Sequence, residues 1–319
     1  MRLRVHHTTS YRYPTPVADS HNEVRLMPLS DADQTCLDFQ VSADPSAPIF
    51  AYDLPSGRVH HFNLRGRHSH LIITADALVV THRSNPFAAL QLIEDDAAYY
   101  TRDSLRQLYC EYLAPTKLVP LDPETDRIAA VARKQAGVGT ASFLIALNRL
   151  LHRVFSYAPG TTNVNTSIRQ VLENKQGVCQ DFAHLMIGIC RRQGIPARYI
   201  SGYLYTGEPG GGSAMDVDSG RASVRNGSAQ GMSAAGFIDT ALVSGNATHA
   251  WVECLLPDGE WRGFDPTNNI VANDRYLKVH FGRDYSDVPP VRGIYRGTFA
   301  HTLNVDVRVT LDRSQAAQS

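Results

Sequence analysis

The chain opens on strand-like alternation. Leu3, Val5, His7, Thr9 and Tyr11 fall on one side of an extended segment. Leu37, Phe39 and Val41 repeat the period of two before the turn Asp44-Pro45-Ser46. Pro55-Ser56-Gly57 separates extended runs at 50–53 and 59–64 and marks a hairpin, and residues 71–81 read as a longer apolar strand. Short strands at this spacing predict a β-rich, sandwich-like unit. From Ser104 the period lengthens, and helices are predicted over 104–113, 123–136, 140–155, 167–174 and 179–193. Asp122-Pro123 and Thr140-Ala141 read as helix starts, and Ser167 as the cap of the fourth helix. Strands return at 197–205, 248–256, 261–265 and 303–311. Helices followed by strands predict helices packed on an antiparallel sheet, so the fold class is α+β.

A length of 319 residues exceeds most single cores and divides most simply into two domains. The division expected is a β-rich N-terminal domain at 1–95, an α+β domain at 96–295, and a C-terminal strand and tail at 296–319. Inside the second domain, residues 207–247 are rich in Gly, Ser and Ala and include Gly210-Gly211-Gly212. That composition predicts a flexible insertion, either a lid or a tolerated surface excursion. Residues 314–319 read as a frayed tail.

Charge narrows the partners. The 31 basic and 31 acidic residues cancel, which argues against nucleic acid or an anionic membrane as partner. The first residues lack the apolar core of a secretory signal, and no run approaches the roughly 18 apolar residues of a membrane helix. Five cysteines, at 36, 110, 179, 190 and 254, are odd in number and show no paired spacing, which predicts reduced thiols and a cytoplasmic protein.

One cysteine stands apart. Gly177 supplies a tight entry turn, and a helical pattern begins at Cys179, with Phe182, Leu185, Met186, Ile189 and Cys190 forming one apolar face. Gly194 and Pro196 then stop the helix. Cys179 is therefore expected in the first turn, where unpaired N–H groups and the helix dipole favour a thiolate and a neighbouring oxyanion. Downstream, Pro257-Asp258-Gly259 joins two strands into a hairpin whose outer ends carry His249 and Asp265. Those ends must lie side by side, the geometry of a base and the carboxylate that orients it.

The run Gly177–Gly202, with His249-Ala250-Trp251-Val252-Glu253 and Phe264-Asp265-Pro266-Thr267, resembles the bacterial transglutaminase-like superfamily, whose members share a papain-like Cys–His–Asp core. Tyr11-Arg12-Tyr13 through Ser20 and Val24-Arg25-Leu26-Met27-Pro28 resemble the N-terminal region of bacterial members. The resemblance implies Cys179 as nucleophile, His249 as base and Asp265 as orienter. The Gly/Ser insertion before His249 departs from the family pattern. The expected function is acyl transfer through a thioester on Cys179, from a peptide or amide donor. Hydrolysis by a cysteine protease or amidase is preferred, because the sequence offers no evident second cleft for a lysine. A protein-glutamine transglutaminase, or a non-catalytic binding scaffold on the same fold, are the alternatives. No cofactor and no metal are expected.

The remaining candidates have plainer readings. Cys190 reads as a small core residue, and Cys36, Cys110 and Cys254 as thiols without partners. Asp181 reads either as a neighbour of the site or as charge complementing the helix dipole, and His184 as a packed residue rather than a second base. Gln176 and Gln180 are weak candidates for an oxyanion donor. Trp251 and Trp261 read as core. His60, His61, His68 and His70 lack a third ligand nearby and read as solvated strand histidines. The polar segment 281–290 is expected to border the cleft.

Overall fold

The N-terminal alternation is realised as one long strand, β1 (Arg2–Val24), followed by β2 (Gln34–Asp44), β3 (Phe50–Leu54), β4 (Gly57–Leu64) and β5 (His68–Thr81). The computed structural model describes residues 1–83, 85–91, 93, 98–162, 164, 166–207, 248–297 and 300–313. Most of the predicted insertion and the tail at 314–319 lie outside the described residues. β1 serves two layers. Its first half pairs with β5, and its last residues, Ser20 to Val24, pair with β4. The register breaks between Arg12 and Val17, so the strand passes from one layer into the other. Tyr13, Val17, Val24, Phe62, Leu71 and Ile73 fill the space between them.

The helical stretch comprises α1 (Pro86–Gln91), α2 (Asp103–Leu108), α3 (Thr125–Gln135), α4 (Thr140–Val154), the short strand β6 (Ser156–Tyr157), α5 (Ile168–Asn174), its parallel partner β7 (Gln176–Gly177), and α6 (Cys179–Arg192). The helix expected over 104–113 ends at Leu108, and a single 3₁₀ turn follows. There Tyr109 and Tyr112 turn their rings edge-on to Trp261, a tertiary contact that local periodicity does not encode. Ser167 caps α5 as expected, with Gln170 completing a reciprocal capping box.

A second sheet follows, from β8 (Ala197–Leu204), β9 (His249–Leu255), β10 (Trp261–Asp265), β11 (Ile270–Val271) and β12 (Tyr276–Gly282). Its order is β11-β10-β9-β8-β12, antiparallel throughout. The chain then returns to the first unit, where β13 (Val291–Arg296) and β14 (Thr302–Leu311) both pair with β1. The boundary expected at 295/296 thus falls inside a strand of the N-terminal layers.

α6 lies at the centre of the second unit. A single apolar face was expected, yet every residue from Gln180 to Arg191 is buried. β8 and β9 cover one side of the helix, and α3, α4 and α5 cover the other. Gly194, at φ 75°, ends it in the left-handed conformation that glycine adopts without strain. The two units share a further apolar cluster, in which Leu3, Val5, Val79 and Val307 meet Tyr203, Leu277 and Val279. Leu277 is fully buried there. Leu277→Ala is expected to destabilise the protein by about 2–5 kcal/mol, read from urea unfolding followed by circular dichroism.

Candidate active site

Cys179 heads α6 and is half-buried. Val178 before it is extended, and its N–H donates to Asp181 Oδ2 at 2.8 Å. Thr162 Oγ1 donates to the same oxygen at 2.7 Å. Asp181 therefore fastens the entry turn from beneath, the carboxylate half of a capping box. Burial raises its pKa, and these two hydrogen bonds oppose the rise. Gly177 makes the turn possible, because a Cβ there would stand 2.7 Å from Asp181 Cβ. Among the described residues, no backbone carbonyl accepts from the amides of Cys179 or Gln180. Both are first-turn amides of the helix that Cys179 begins.

His249 begins β9, opposite Gly202 of β8. A side chain at Gly202 would stand 2.5 Å from the Trp251 ring and 2.2 Å from the Leu277 carbonyl. Glycine thus lets Trp251 lie near-parallel to the His249 ring, at 6.2 Å between centroids. His249 Nε2 meets Asp265 Oδ2 at 2.7 Å, both side chains being sealed from solvent. The Cys179 sulfur is close enough to favour the charged form of His249. With Nε2 committed to Asp265, Nδ1 is the ring nitrogen left for the thiol.

Asp265 accepts more than the imidazole. Its Oδ1 takes the backbone amides of Thr267 and Asn268 at 2.8 and 3.2 Å. Its Oδ2 takes Asn268 Nδ2 at 2.7 Å and the Tyr276 hydroxyl at 2.8 Å. Burial opposes ionisation, but the charge of His249 and the hydrogen bonds to Oδ2 hold the carboxyl below its usual range. For His249, burial opposes the charged form. The Asp265 carboxylate and the Cys179 sulfur outweigh it and push the pKa up to about 10.

Sequence reasoning placed Cys179, His249 and Asp265, and the structure brings all three together. It missed Asn268 and Tyr276. Asn268 carried a signal, since an Asp followed by Pro-Thr-Asn-Asn forms a turn in which the side chain accepts the amides two and three residues on. Tyr276 carries one too, since the alternation of Leu277, Val279 and Phe281 after it is that of a strand.

Other candidates sort by their contacts. His184 accepts the Tyr285 amide at 3.2 Å and is driven to about 4 by burial. It is a packed neutral histidine, as expected. In the segment 281–290, Tyr285 packs edge-on to the buried Tyr199 and against the large core cluster that Cys179 also borders. Gln180 spends its side-chain amide on the Val164 carbonyl, and Gln176 is exposed in β7. Cys254 is not without a partner, because its sulfur lies 3.7 Å from that of Cys190 where α6 crosses β9. His60 and His68 are buried rather than solvated. His60 packs on Phe39, and His68 lies edge-on to Tyr13.

A cysteine-headed helix laid on an antiparallel sheet, with a sealed His–Asp pair on the sheet's hairpin, defines a transglutaminase-like fold. Residues 129–266 match the transglutaminase-like superfamily, residues 3–80 match the bacterial transglutaminase-like N-terminal region, and the chain belongs to this superfamily. It is similar to an uncharacterized protein of Mycobacterium leprae, 33% identical over 316 residues that cover 97% of this chain and 98% of that one. An uncharacterized protein of Mycobacterium tuberculosis is 30% identical over 322 residues, covering 97% and 92%. Among solved structures, a protein of Cytophaga hutchinsonii provisionally described as a cysteine protease superposes with a TM-score of 0.69 at 20% identity, covering 97% of this chain and 90% of that one. At that identity it shows a shared fold.

The His249–Asp265 bond carries a pH signature. His249 is raised above its ordinary 6.5, so its contribution to stability is complete below that value and is lost as pH climbs through about 10. Asp265 is lowered, so its contribution is complete above its ordinary 3.8 and is lost as pH falls through the lowered value. The stability gap between the wild type and Asp265→Asn should be widest between about pH 4 and 6.5 and narrow on both sides, read from urea midpoints across pH.

Proposed function

We propose that the protein is a thiol-dependent acyl-transfer enzyme that forms a thioester on Cys179 from a peptide or amide donor and releases it to water. The observation that carries this reading is the sealed His249–Asp265 bond beside a cysteine at a helix start. Cys179 and His249 share one proton, and with that proton on His249 Nδ1 the Cys179 thiolate attacks the carbonyl carbon. The carbonyl pair moves onto oxygen, which the first-turn amides of Cys179 and Gln180 would hold. As the oxyanion collapses, the C–N bond breaks, and the amine leaves with the proton from His249. Neutral His249 then takes a proton from water. The hydroxide attacks the thioester and the acid departs, while the returned proton is shared again by Cys179 and His249. Asp265 stays an anion throughout, fixing the ring and its tautomer.

The substrate is assigned as a peptide or protein, without nucleic acid, membrane or cofactor, and the compartment as the cytoplasm. Among the described residues, no helix is long and apolar enough to cross a membrane. Transglutamination differs only in the second nucleophile, an amine in place of water.

The test incubates the protein with glutamine-containing peptides, with and without a primary amine, followed by mass spectrometry. Amine-independent cleavage that disappears in Cys179→Ala supports the proposal, whereas amine incorporation replaces hydrolysis with crosslinking. Asp265→Asn should keep the fold and lower turnover by on the order of 10³-fold or more. If neither reaction occurs and iodoacetamide alkylates Cys179 at pH 6 no faster than an unfolded thiol, the scaffold reading stands instead.

A further inference from the structure

β12 carries none of Cys179, His249 and Asp265, yet it touches the His–Asp pair at one end and the N-terminal unit in its middle. At the first end is Tyr276, whose hydroxyl donates to Asp265 Oδ2 at 2.8 Å, the oxygen that also holds His249. The ring is buried, lies 6.2 Å from the His249 ring, and meets Trp251 edge-on at 5.3 Å.

Two residues further on is Lys278. Gln34 of β2 brackets its backbone: the amide Nε2 donates to the Lys278 carbonyl at 2.8 Å, and Oε1 accepts the Lys278 N–H at 2.7 Å. Leu29 N–H donates to that same carbonyl at 2.9 Å. The ammonium meets Asp31 at 2.6 Å, Asp33 at 2.9 Å and Glu253 of β9 at 3.3 Å. The strand bearing Tyr276 and the strand bearing His249 are thus tied to one loop of the N-terminal unit.

We propose that Tyr276 is a positioning residue for the Asp265–His249 pair, held in place by the clamp that Gln34, Asp31 and Asp33 close on Lys278. The chemistry is specific. Oδ2 is shared by three donors, and the Tyr276 O–H dipole presents its positive end near the imidazolium. The hydroxyl moderates the pull of Asp265 on the His249 proton and leaves the imidazolium a better acid toward the departing amine. It also fixes which Asp265 oxygen faces the ring. The N-terminal unit then becomes a working part of the site, because the register of β12 depends on it.

The role of this positioning rests on the acyl-transfer reading, but its test does not. The ¹H and ¹⁵N resonances of the His249 Nε2–H group are recorded by NMR in ¹⁵N-histidine-labelled protein, assigned by their loss in His249→Gln. In Tyr276→Phe, which keeps the ring, the proton resonance is expected to move downfield as Asp265 Oδ2 passes from three donors to two. In Gln34→Ala a smaller shift of the same sense is expected, since the strand is loosened and the hydroxyl retained. A resonance unmoved in Tyr276→Phe overturns the positioning role. A resonance unmoved in a folded Gln34→Ala overturns the clamp. Failure of wild-type Cys179 to show an activated thiol at pH 6 would instead sink the acyl-transfer reading and leave the NMR comparison standing.

Discussion

The structure depends on one buried negative charge. A carboxylate sealed from water is costly unless each oxygen is satisfied. Asp265 meets that demand with an imidazole, two backbone amides, a side-chain amide and a phenol. Each donor constrains a different part of the chain. The amides need the tight turn after β10, with Asn269 at φ 54°. The imidazole needs β9 in register beside β10, and the phenol needs β12 to begin where it does. Removing one donor strands a charge, whereas repacking them together would lose the geometry that aims His249.

Around that charge the second unit is built on a helix that has no solvent face. Such a helix must satisfy its polar groups internally. Arg191 does so by donating to the carbonyls of Ala114, Ala197 and Arg283, and His184 by staying neutral and accepting the Tyr285 amide. Asp181 holds the entry turn. Among the described residues, the first-turn amides of Cys179 and Gln180 have no backbone acceptor, which leaves the helix N-terminus polar.

The sequence made the local signals legible and the long-range ones obscure. Cys179 at a helix start could be read from Gly177 and a 3.6 period, and the His249–Asp265 contact from a Pro-Asp-Gly hairpin. Ser167 named its own cap. The all-round burial of α6 could not be read, because Arg191, His184 and Asp181 look like a polar face until their partners arrive from residues up to about 100 positions away in the chain. β12 was hidden by the polar turn that follows it. The return of β13 to β1 was hidden because an exposed strand with Ile294 and Tyr295 carries little alternation. The N-terminal histidines misled for a related reason: a strand pattern shows which residues share a face, not whether a second layer covers that face.

The contact between the two units is balanced rather than merely apolar. Three cations, Arg83, Arg198 and Lys278, meet three carboxylates, Asp31, Asp33 and Glu253, so the cluster is neutral as a whole. Arg198 also lies over the rings of Trp261 and Phe281, at 4.2 and 3.9 Å. Desolvating such a cluster offsets much of its attraction, so it adds little to stability beyond what a well-packed apolar patch would give. What it adds is register. Apolar surfaces slide at little cost, but Lys278 must meet three carboxylates while Gln34 grips its backbone at two points. A slip of one residue would turn the side chains of β12 to the opposite face and withdraw the Tyr276 hydroxyl from Asp265. A site that needs a buried carboxylate aimed at an imidazole is better served by a contact that fixes position than by one that only adheres.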